Sequence, residues 1–210
     1  MKELYIIGAG GFGREVAWLV ERINQKNPEW EIVGFIDDDP HIHGKKMNRY
    51  TVLGDDSFLK NKEGYVVCAI GSARIREKVI KKLYAYEGIQ FATVIDPSVN
   101  MSDLVSVGEG CIICAGTNIT VDVKIGNHVI INLDCTLGHD DVICDYVTLY
   151  PSVNVSGMVT VGKGTELGTG TQIIQGLSIC NNTIIGAGAV VVRDITEMGT
   201  YVGVPVKRRK

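Results

Sequence analysis

Aliphatic residues recur at every sixth position over almost half of the chain. Counting in sixes from Ile95 to Val191 meets seventeen residues, all aliphatic or methionine, and no insertion breaks the count. The residue four places after each of them is small or apolar in every repeat but one. A strict period of six fits neither a helix nor an alternating strand, and it is the signature of a parallel β-helix. The pattern therefore predicts a solenoid of about five to six triangular coils in which both repeated positions point inward.

One repeat departs from this pattern, the LGHDDV segment over 137–142. Asp141 occupies its inward fifth position, where a buried and unpaired carboxylate is costly. We expect this turn to be bulged or to open to water. His139 lies beside the irregularity, which is the first indication of chemistry on the solenoid. The alternative is a turn histidine that is simply hydrogen-bonded to Asp140 or Asp141.

Before the solenoid, the apolar spacing predicts a compact βαβ unit followed by a further strand, helix and strand. The polar loop from His41 to Thr51 is expected to be exposed. The last strand enters the solenoid directly, so we predict two domains, residues 1–94 and 95–210. The predicted elements are a strand over 4–7, a helix that follows the glycine turn over 8–13 and ends near Asn27, and then strand 31–36, strand 65–70, helix 73–87 and strand 90–95.

A glycine-rich turn joins the first strand to the first helix. Gly8, Gly10 and Gly13 match the G-x-G-x-x-G fingerprint, and Asp37 stands at the end of the second strand. Glycines here let a phosphate approach the helix N-terminus, and an aspartate can accept hydrogen bonds from a ribose or base. A tight turn without a ligand is the alternative. Since only about 94 residues precede the solenoid, one nucleotide is expected rather than a dinucleotide.

Composition excludes several classes of protein. The formal net charge is −3 and 45% of the residues are hydrophobic, which indicates neither a nucleic-acid-binding surface nor a disordered tail. No apolar run approaches the ~20 residues of a membrane span. The sequence begins with a strand pattern, so no signal peptide is expected. Six cysteines at apolar or repeat positions fit a reducing cytoplasm. No metal site is predicted, and His128 is expected to face water or a neighbouring subunit.

Taken together, these features resemble the bacterial sugar acyltransferases of the sialic-acid O-acetyltransferase type. The subgroup most similar by pattern is that of the nucleotide-linked 4-amino-sugar N-acetyltransferases of the bacillosamine pathway. The resemblance covers the whole chain, and its order of motifs is more specific than any one of them. The motifs are 7–13 (IGAGGFG), 35–38 (FIDD), 69–71 (AIG), 138–140 (GHD) and 202–205 (VGVP).

The resemblance implies a trimer of left-handed β-helices with acetyl-CoA held between neighbouring solenoids, and a nucleotide-linked amino sugar held by the N-terminal domain. It implies that His139 is the general base and that Asp140 orients it. The positions that match nucleotide-sugar contacts are Gly10, Gly11, Phe12, Asp37, Asp38 and Gly71. Those that match acetyl-CoA contacts are Thr148, Gly157, Thr169 and Ala187. The family often has a histidine at the position of Thr148, whose hydroxyl can donate one hydrogen bond to the thioester but carries no charge.

The expected reaction is direct acetyl transfer to the amino group of a UDP-, dTDP- or GDP-linked 4-amino-deoxysugar. O-acetylation of a sialic-acid-type sugar is a close alternative. An NAD-dependent oxidoreductase would use the glycine fingerprint but would leave the solenoid and His139 without a role. A non-catalytic β-helix assembly protein is the third possibility.

Overall fold

The N-terminal part of the chain is a mixed sheet of six strands with helices packed against it. A computed structural model describes residues 1–209. The sheet has the order β3-β4-β2-β1-β5-β6, and only the β3–β4 pair is antiparallel. The elements are β1 (Lys2–Ile7), α1 (Gly11–Lys26), β2 (Trp30–Ile36), β3 (Lys46–Met47), β4 (Tyr50–Gly54), β5 (Gly64–Cys68), α2 (Ala73–Leu83) and β6 (Ile89–Phe91), with short 3₁₀ turns at Pro40–Ile42 and Asp56–Leu59.

The predicted βαβ unit is confirmed, but two local predictions are wrong. The loop predicted over 41–51 contains the β3–β4 hairpin, and Val52 of β4 is fully buried beside β2. The sequence does not predict this hairpin, because β3 has only two residues and those around it are polar. Helix α2 ends at Leu83 rather than at Glu87, because the four residues that follow turn to deliver Phe91 to the sheet edge.

From Val94 onward the chain forms a left-handed parallel β-helix, as predicted. On each face, successive strands up to Val190–Val191 pair at a spacing of eighteen residues, so each coil has three two-residue strands on three faces. The first face holds the strands at 94–95, 112–113, 130–131, 148–149, 166–167 and 184–185, and continues into Thr200–Val202 and Lys207–Arg208. The second holds those at 100–101, 118–119, 136–137, 154–155, 172–173 and 190–191, and the third those at 106–107, 124–125, 142–143, 160–161 and 178–179.

Three columns of turns connect these faces. We call them the first corner (between the first and second faces), the second corner (between the second and third) and the third corner (between the third and the first). The fourth residue of many hexapeptide repeats, counted from the inward aliphatic residue, has a left-handed backbone, for example Asp122 at φ 59° and Asp140 at φ 61°. Aspartate tolerates this conformation better than most side chains. The repeated aliphatic residues fill the interior, as in Ile131, Leu149 and Leu167, each fully buried.

The first face carries the N-terminal domain. Its outward side chains at Val94, Ile112 and Ile130 are buried and share an apolar core with Val16 and Leu19 of α1. Arg22 of this helix also donates two hydrogen bonds to a solenoid carboxylate. The domain therefore lies against one side of the triangle, opposite the second corner.

The prediction that His128 faces water or another subunit is wrong. Its side chain is 1% exposed, and its ring stacks on Tyr146 with the centroids 5.1 Å apart. Phe91 meets the ring edge-on from β6, and the hydroxyl of Tyr84 lies 2.7 Å from Nε2. Burial lowers the pKa of His128 to about 4, so it is a neutral aromatic contact between the two domains at neutral pH. Its place in a polar turn hid this, because the aromatic partners come from a distant part of the chain.

Within residues 1–209, no helix combines the length and the apolar character required to cross a membrane.

Candidate active site

His139 projects from the second corner with its side chain 56% exposed. Its Nδ1 lies 2.7 Å from Oδ2 of Asp140, the next residue. A carboxylate at this distance accepts the Nδ1 hydrogen, which leaves Nε2 as the free acceptor of a neutral imidazole. The left-handed turn at Asp140 brings the two side chains together. The pair therefore presents a basic nitrogen to the outside of the solenoid.

The histidine ring rests on Gly157, which occupies the same turn position one coil later. A Cβ on Gly157 would come within 2.6 Å of His139 Nε2, so no larger side chain fits without displacing the ring. Gly138 is equally confined, because a Cβ there would lie 2.7 Å from the Cα of Gly157. Among hydrogen bonds between the described residues, none uses the Gly157 N–H. The turn thus holds a free backbone donor close to the imidazole.

The bulge or opening predicted at Asp141 is wrong. The ladder continues through this coil, with Lys124 N–H donating to the Asp141 carbonyl and Val142 N–H to the Val159 carbonyl, both at 2.9 Å. The Asp141 side chain is fully buried. Its Oδ1 accepts a hydrogen bond from Val159 N–H at 2.9 Å, and Oδ2 has no partner among the described residues. Burial raises the pKa of this carboxyl to about 7. Protonation therefore lowers the free-energy cost of burying the side chain, and no bulge is needed to expose it to water.

Exposed apolar side chains recur along the outside of the second corner, the column of turns that carries His139. They include Met158, which is 61% exposed and follows Gly157 directly. Soluble monomers rarely expose large contiguous apolar patches, and such a patch marks an interaction surface. The exposed apolar residues of this corner are Leu104, Val121, Met158, Ile174 and Val192.

The glycine turn of the N-terminal domain is built for a close backbone approach. Gly13 packs against the carbonyl of Gly8, where any Cβ would overlap it. Gly10 and Gly11 face open space instead, since a Cβ on either would meet no heavy atom within 3.8 Å. Gly8 and Gly13 therefore serve packing, whereas Gly10 and Gly11 leave the N-terminus of α1 accessible to an anion.

Asp37 holds this glycine turn in place. Its Oδ2 accepts the Ala9 N–H at 2.8 Å and its Oδ1 accepts the Asp39 N–H at 3.0 Å. Each oxygen keeps one lone pair, so the predicted contact with a ribose or base stays open as a prediction. Asp38 is exposed at the same end of β2.

Gly71 lies across a cleft from this turn, where the loop after β5 meets the first face. Its carbonyl accepts a hydrogen bond from Thr148 Oγ1 at 2.7 Å. The Thr148 side chain is fully buried, and its only hydrogen is engaged in this bond. This places Thr148 with the cleft residues Phe12 and Tyr150 rather than beside Gly157. The role predicted for Thr148 toward acetyl-CoA is untested, and its hydroxyl has no hydrogen left to donate.

Sequence reasoning missed the residue that fixes this loop, Arg76. The guanidinium is fully buried and has no carboxylate partner among the described residues. It donates to five backbone carbonyls, those of Ile70, Gly71, His128, Tyr146 and Val147, at 2.7 to 3.2 Å. A signal existed, because Arg76 shares the apolar helix face with Ile80 and Leu83 at i+4 and i+7.

A single chain does not bring all the predicted site residues together. Phe12 and Gly71 line the cleft above the first face, and Gly10 and Gly11 precede Phe12 in the chain and face open space. Thr169 and Ala187 are exposed on the first corner, one coil apart. His139, Asp140 and Gly157 lie on the second corner, on the opposite side of the triangle from the N-terminal domain.

Comparisons with known proteins agree with this architecture. Residues 3–83 match the family described as the PglD N-terminal domain. A variant of perosamine N-acetyltransferase from Caulobacter crescentus, solved with CoA and GDP-perosamine, is 31% identical, with 100% of this chain and 98% of that one covered and a TM-score of 0.89. The acetyltransferase domain of PglB from Neisseria gonorrhoeae FA1090 is 27% identical, with both chains fully covered and a TM-score of 0.89.

Curated relatives are similar to this chain over part of their length. Galactoside O-acetyltransferase from Escherichia coli (strain K12) is 28% identical over 136 residues, which are 63% of this chain and 66% of that one. The chain spans between 25% and 66% of the length of the curated relatives it matches. The N-terminal match and the full-length similarity nevertheless agree with the motif order, and this chain belongs to the sugar acetyltransferase family of the bacillosamine-pathway type.

Proposed function

We propose that this protein transfers the acetyl group of acetyl-CoA to the amino group of a nucleotide-linked 4-amino-deoxysugar. The observation that carries the proposal is the exposed imidazole of His139, whose Nδ1 is bonded to Asp140 and whose Nε2 is free over Gly157. This arrangement suits a general base that must be neutral and correctly oriented before the reaction. Perosamine N-acetyltransferase, a protein similar over its whole length, is described in complex with CoA and a GDP-linked sugar.

In the proposed reaction the sugar amine attacks the thioester carbonyl carbon. A C–N bond forms, and the C–S bond to CoA breaks as the tetrahedral intermediate collapses. Nε2 of His139 accepts one amine proton and passes it to the leaving thiolate. Asp140 stabilises the imidazolium that exists between these steps. General-base help of this kind contributes roughly 10²–10⁴ in rate.

The oxyanion of the intermediate requires a hydrogen-bond donor. The Gly157 N–H has no other acceptor among the described residues and lies next to the imidazole. We assign it this role. One such donor is worth about 10²–10³ in kcat. The absence of a side chain at Gly157 is then required twice, for the ring above it and for the approach of the thioester.

Two domains would divide the substrates. Residues 1–94 bind the nucleotide sugar through Gly10, Gly11, Phe12, Asp37, Asp38 and Gly71, and residues 95–210 carry the acetyl-CoA contacts and the base. Gly10 and Gly11 leave open space at the N-terminus of α1, which suits the negative charge of a diphosphate. The nucleotide can be UDP, dTDP or GDP.

A homotrimer would complete the site. Within one chain, His139 lies opposite the face that carries the N-terminal domain, so it cannot reach a sugar held there. A neighbouring solenoid that packs its first corner against the second corner would bring Thr169 and Ala187 toward Gly157. It would also cover the exposed apolar side chains around His139, such as Met158. Sedimentation analysis at micromolar concentration should give a trimer, and a fully active monomer would contradict the shared site.

A cytoplasmic location is part of the proposal. All six cysteines are free thiols, including pairs close in sequence such as Cys111 and Cys114. Burial raises the pKa of each of these two thiols to about 12, which makes them unreactive core residues. Free, unpaired cysteines are typical of a reducing compartment.

The decisive assay is acetyl-CoA consumption against a panel of UDP-, dTDP- and GDP-linked amino sugars. The panel includes the matching hydroxy sugars and free sialic acid, because the galactoside relative is named as an O-acetyltransferase. Release of CoA with one nucleotide-linked amino sugar, and not with its hydroxy analogue, supports the proposal. Transfer only to hydroxyl groups would replace it with O-acetylation. Nicotinamide cofactor binding without any transfer would restore the oxidoreductase alternative.

A further inference from the structure

Asp141 is a carboxylate in a position that the fold fills with apolar or small side chains. The equivalent positions in the coils before and after it are Val123 and Val159, both fully buried. The β-helix therefore needs no carboxylate at this point. A valine there would avoid the desolvation of a polar group, so the aspartate is the costlier choice for folding.

The hydrogen bond of Asp141 joins the two turns that carry the proposed chemistry. Asp141 follows His139 by two residues, and its partner Val159 follows Gly157 by two residues. The bond from Val159 N–H to Asp141 Oδ1, 2.9 Å long, lies directly inside the point where the imidazole rests on Gly157. Backbone hydrogen bonds also join the two coils here: Met158 N–H donates to the His139 carbonyl at 2.8 Å, and Gly138 N–H and Val142 N–H donate to the carbonyls of Val155 and Val159, both at 2.9 Å.

These contacts matter because the spacing of the two turns is tight. The Nε2 atom of His139 would lie 2.6 Å from a Cβ on Gly157, so a small displacement of either turn changes what fits between the base and the Gly157 N–H. A misplacement of about 1 Å at a catalytic centre can cost on the order of 10² in rate. A side-chain link at this point would fix the spacing more firmly than backbone hydrogen bonds alone.

We propose that Asp141 is a positioning residue that ties the His139 turn to the Gly157 turn and so sets the gap in which the thioester carbonyl is attacked. The proposal rests on the acetyl transfer proposed above for its catalytic consequence. It also has a purely structural consequence, the protection of the Val159 amide. The price of this link is a fold that is less stable than the same fold with valine.

The test compares Asp141→Val, which restores the regular repeat, with Asp141→Asn, which keeps an acceptor oxygen for Val159. Thr171→Val is the matched control, because Thr171 is another inward polar side chain and bonds only to carbonyls, including that of Gly168 at 2.7 Å. Three readouts are measured on the full-length protein: the melting temperature, kcat and KM for both substrates, and hydrogen exchange at the Val159 amide.

Asp141→Val should raise the melting temperature at about pH 8, speed exchange at Val159, and lower kcat by about tenfold to a hundredfold with little change in either KM. Asp141→Asn should keep most of the exchange protection and kcat, and Thr171→Val should change neither. An Asp141→Val protein with wild-type kcat and wild-type exchange at Val159 would overturn the proposal. If the wild type transfers no acetyl group to any acceptor, the proposed function fails, and exchange at Val159 still decides whether Asp141 links the two turns.

Discussion

The buried carboxyl of Asp141 should make the free energy of unfolding depend on pH. Burial raises its pKa to about 7 in the folded protein, whereas an aspartate in the unfolded chain has a pKa of ~3.9. The titratable side chains next to it are His139 and Asp140 on its own turn. Because the folded state holds the proton more tightly, protonation of Asp141 stabilises the fold below the unfolded pKa. This contribution is lost as the pH rises through about 7.

The magnitude follows from proton linkage at ~1.36 kcal/mol per pKa unit. Over the whole range, the shift from ~3.9 to about 7 corresponds to roughly 4 kcal/mol. Between pH values of about 5 and 8, where the protein can be handled, the free energy of unfolding should fall by roughly 2.5 kcal/mol through this group alone. Asp141→Asn, which cannot titrate, should lack this loss.

The assay is urea unfolding of wild type and Asp141→Asn at a series of pH values and one fixed protein concentration. The quantity compared is the difference in unfolding free energy between the two proteins, so that other titrating groups cancel. His128 is one of these, because its lowered pKa makes stability fall as the pH drops below ~6.5. Thr171→Val serves as a control whose difference from wild type should not vary with pH.

The expected result is a difference that grows in favour of Asp141→Asn from about pH 5 to pH 8. A difference that stays constant across this range would show that the Asp141 carboxyl titrates normally. In that case the side chain is hydrated, and the interpretation of Asp141 as a buried link is wrong.

Four other variants test the two halves of the site and the buried arginine that holds the Gly71 loop. Gly11→Val places its side chain in open space at the start of α1, so the protein should fold normally but have a higher KM for the sugar nucleotide. Asp37→Ala should raise the same KM, because it releases the Ala9 N–H. A loss of acetyl-CoA affinity in either variant would instead reverse the domain assignment. Gly157→Ala should displace the His139 ring and lower kcat by about a hundredfold, and an unchanged kcat would remove Gly157 from the mechanism. Arg76→Met leaves buried carbonyls unpaired and should lower the free energy of unfolding by at least about 3 kcal/mol in a urea titration, whereas a neutral effect would mean that water replaces the guanidinium.

The solenoid could be predicted from the sequence because its information is local and repeated. Each coil repeats the same spacing of inward apolar residues, so one exceptional repeat does not obscure the period of six. The βαβ unit was also predictable, since a glycine turn between a strand and an amphipathic helix is a short-range signal. Short elements such as the β3–β4 hairpin were not, because two-residue strands are stabilised by neighbours rather than by their own pattern.

The environments of His128 and Arg76 could not be predicted from the sequence, because they depend on contacts between distant parts of the chain. His128 reads as a polar turn residue until Phe91 and Tyr84 are placed beside it. Arg76 reads as one more cation on a basic helix, although its partners are carbonyls as many as 71 residues away. The hexapeptide pattern identifies Asp141 as irregular but does not show that the backbone stays regular there, because a protonated carboxyl can remain inside a regular coil.

The central claim is that His139 of one subunit acts on a sugar held by the N-terminal domain of another. His139→Ala alone should lower kcat by roughly 10²–10⁴ and change either KM little. Gly11→Val should lose activity for a different reason, because its base is intact but its sugar site is blocked. Neither variant touches an inward position of the solenoid, so both should assemble normally.

Co-expression of these two variants with different affinity tags, followed by isolation of the mixed trimers, tests the claim most directly. If each site combines His139 from one chain with the glycine turn of its neighbour, one of the three sites in every mixed trimer has both parts intact, so the isolated mixed trimers should have about a third of wild-type activity. If the two parts belong to the same chain, every site carries one defect. Mixed trimers no more active than the separate variants would contradict the account.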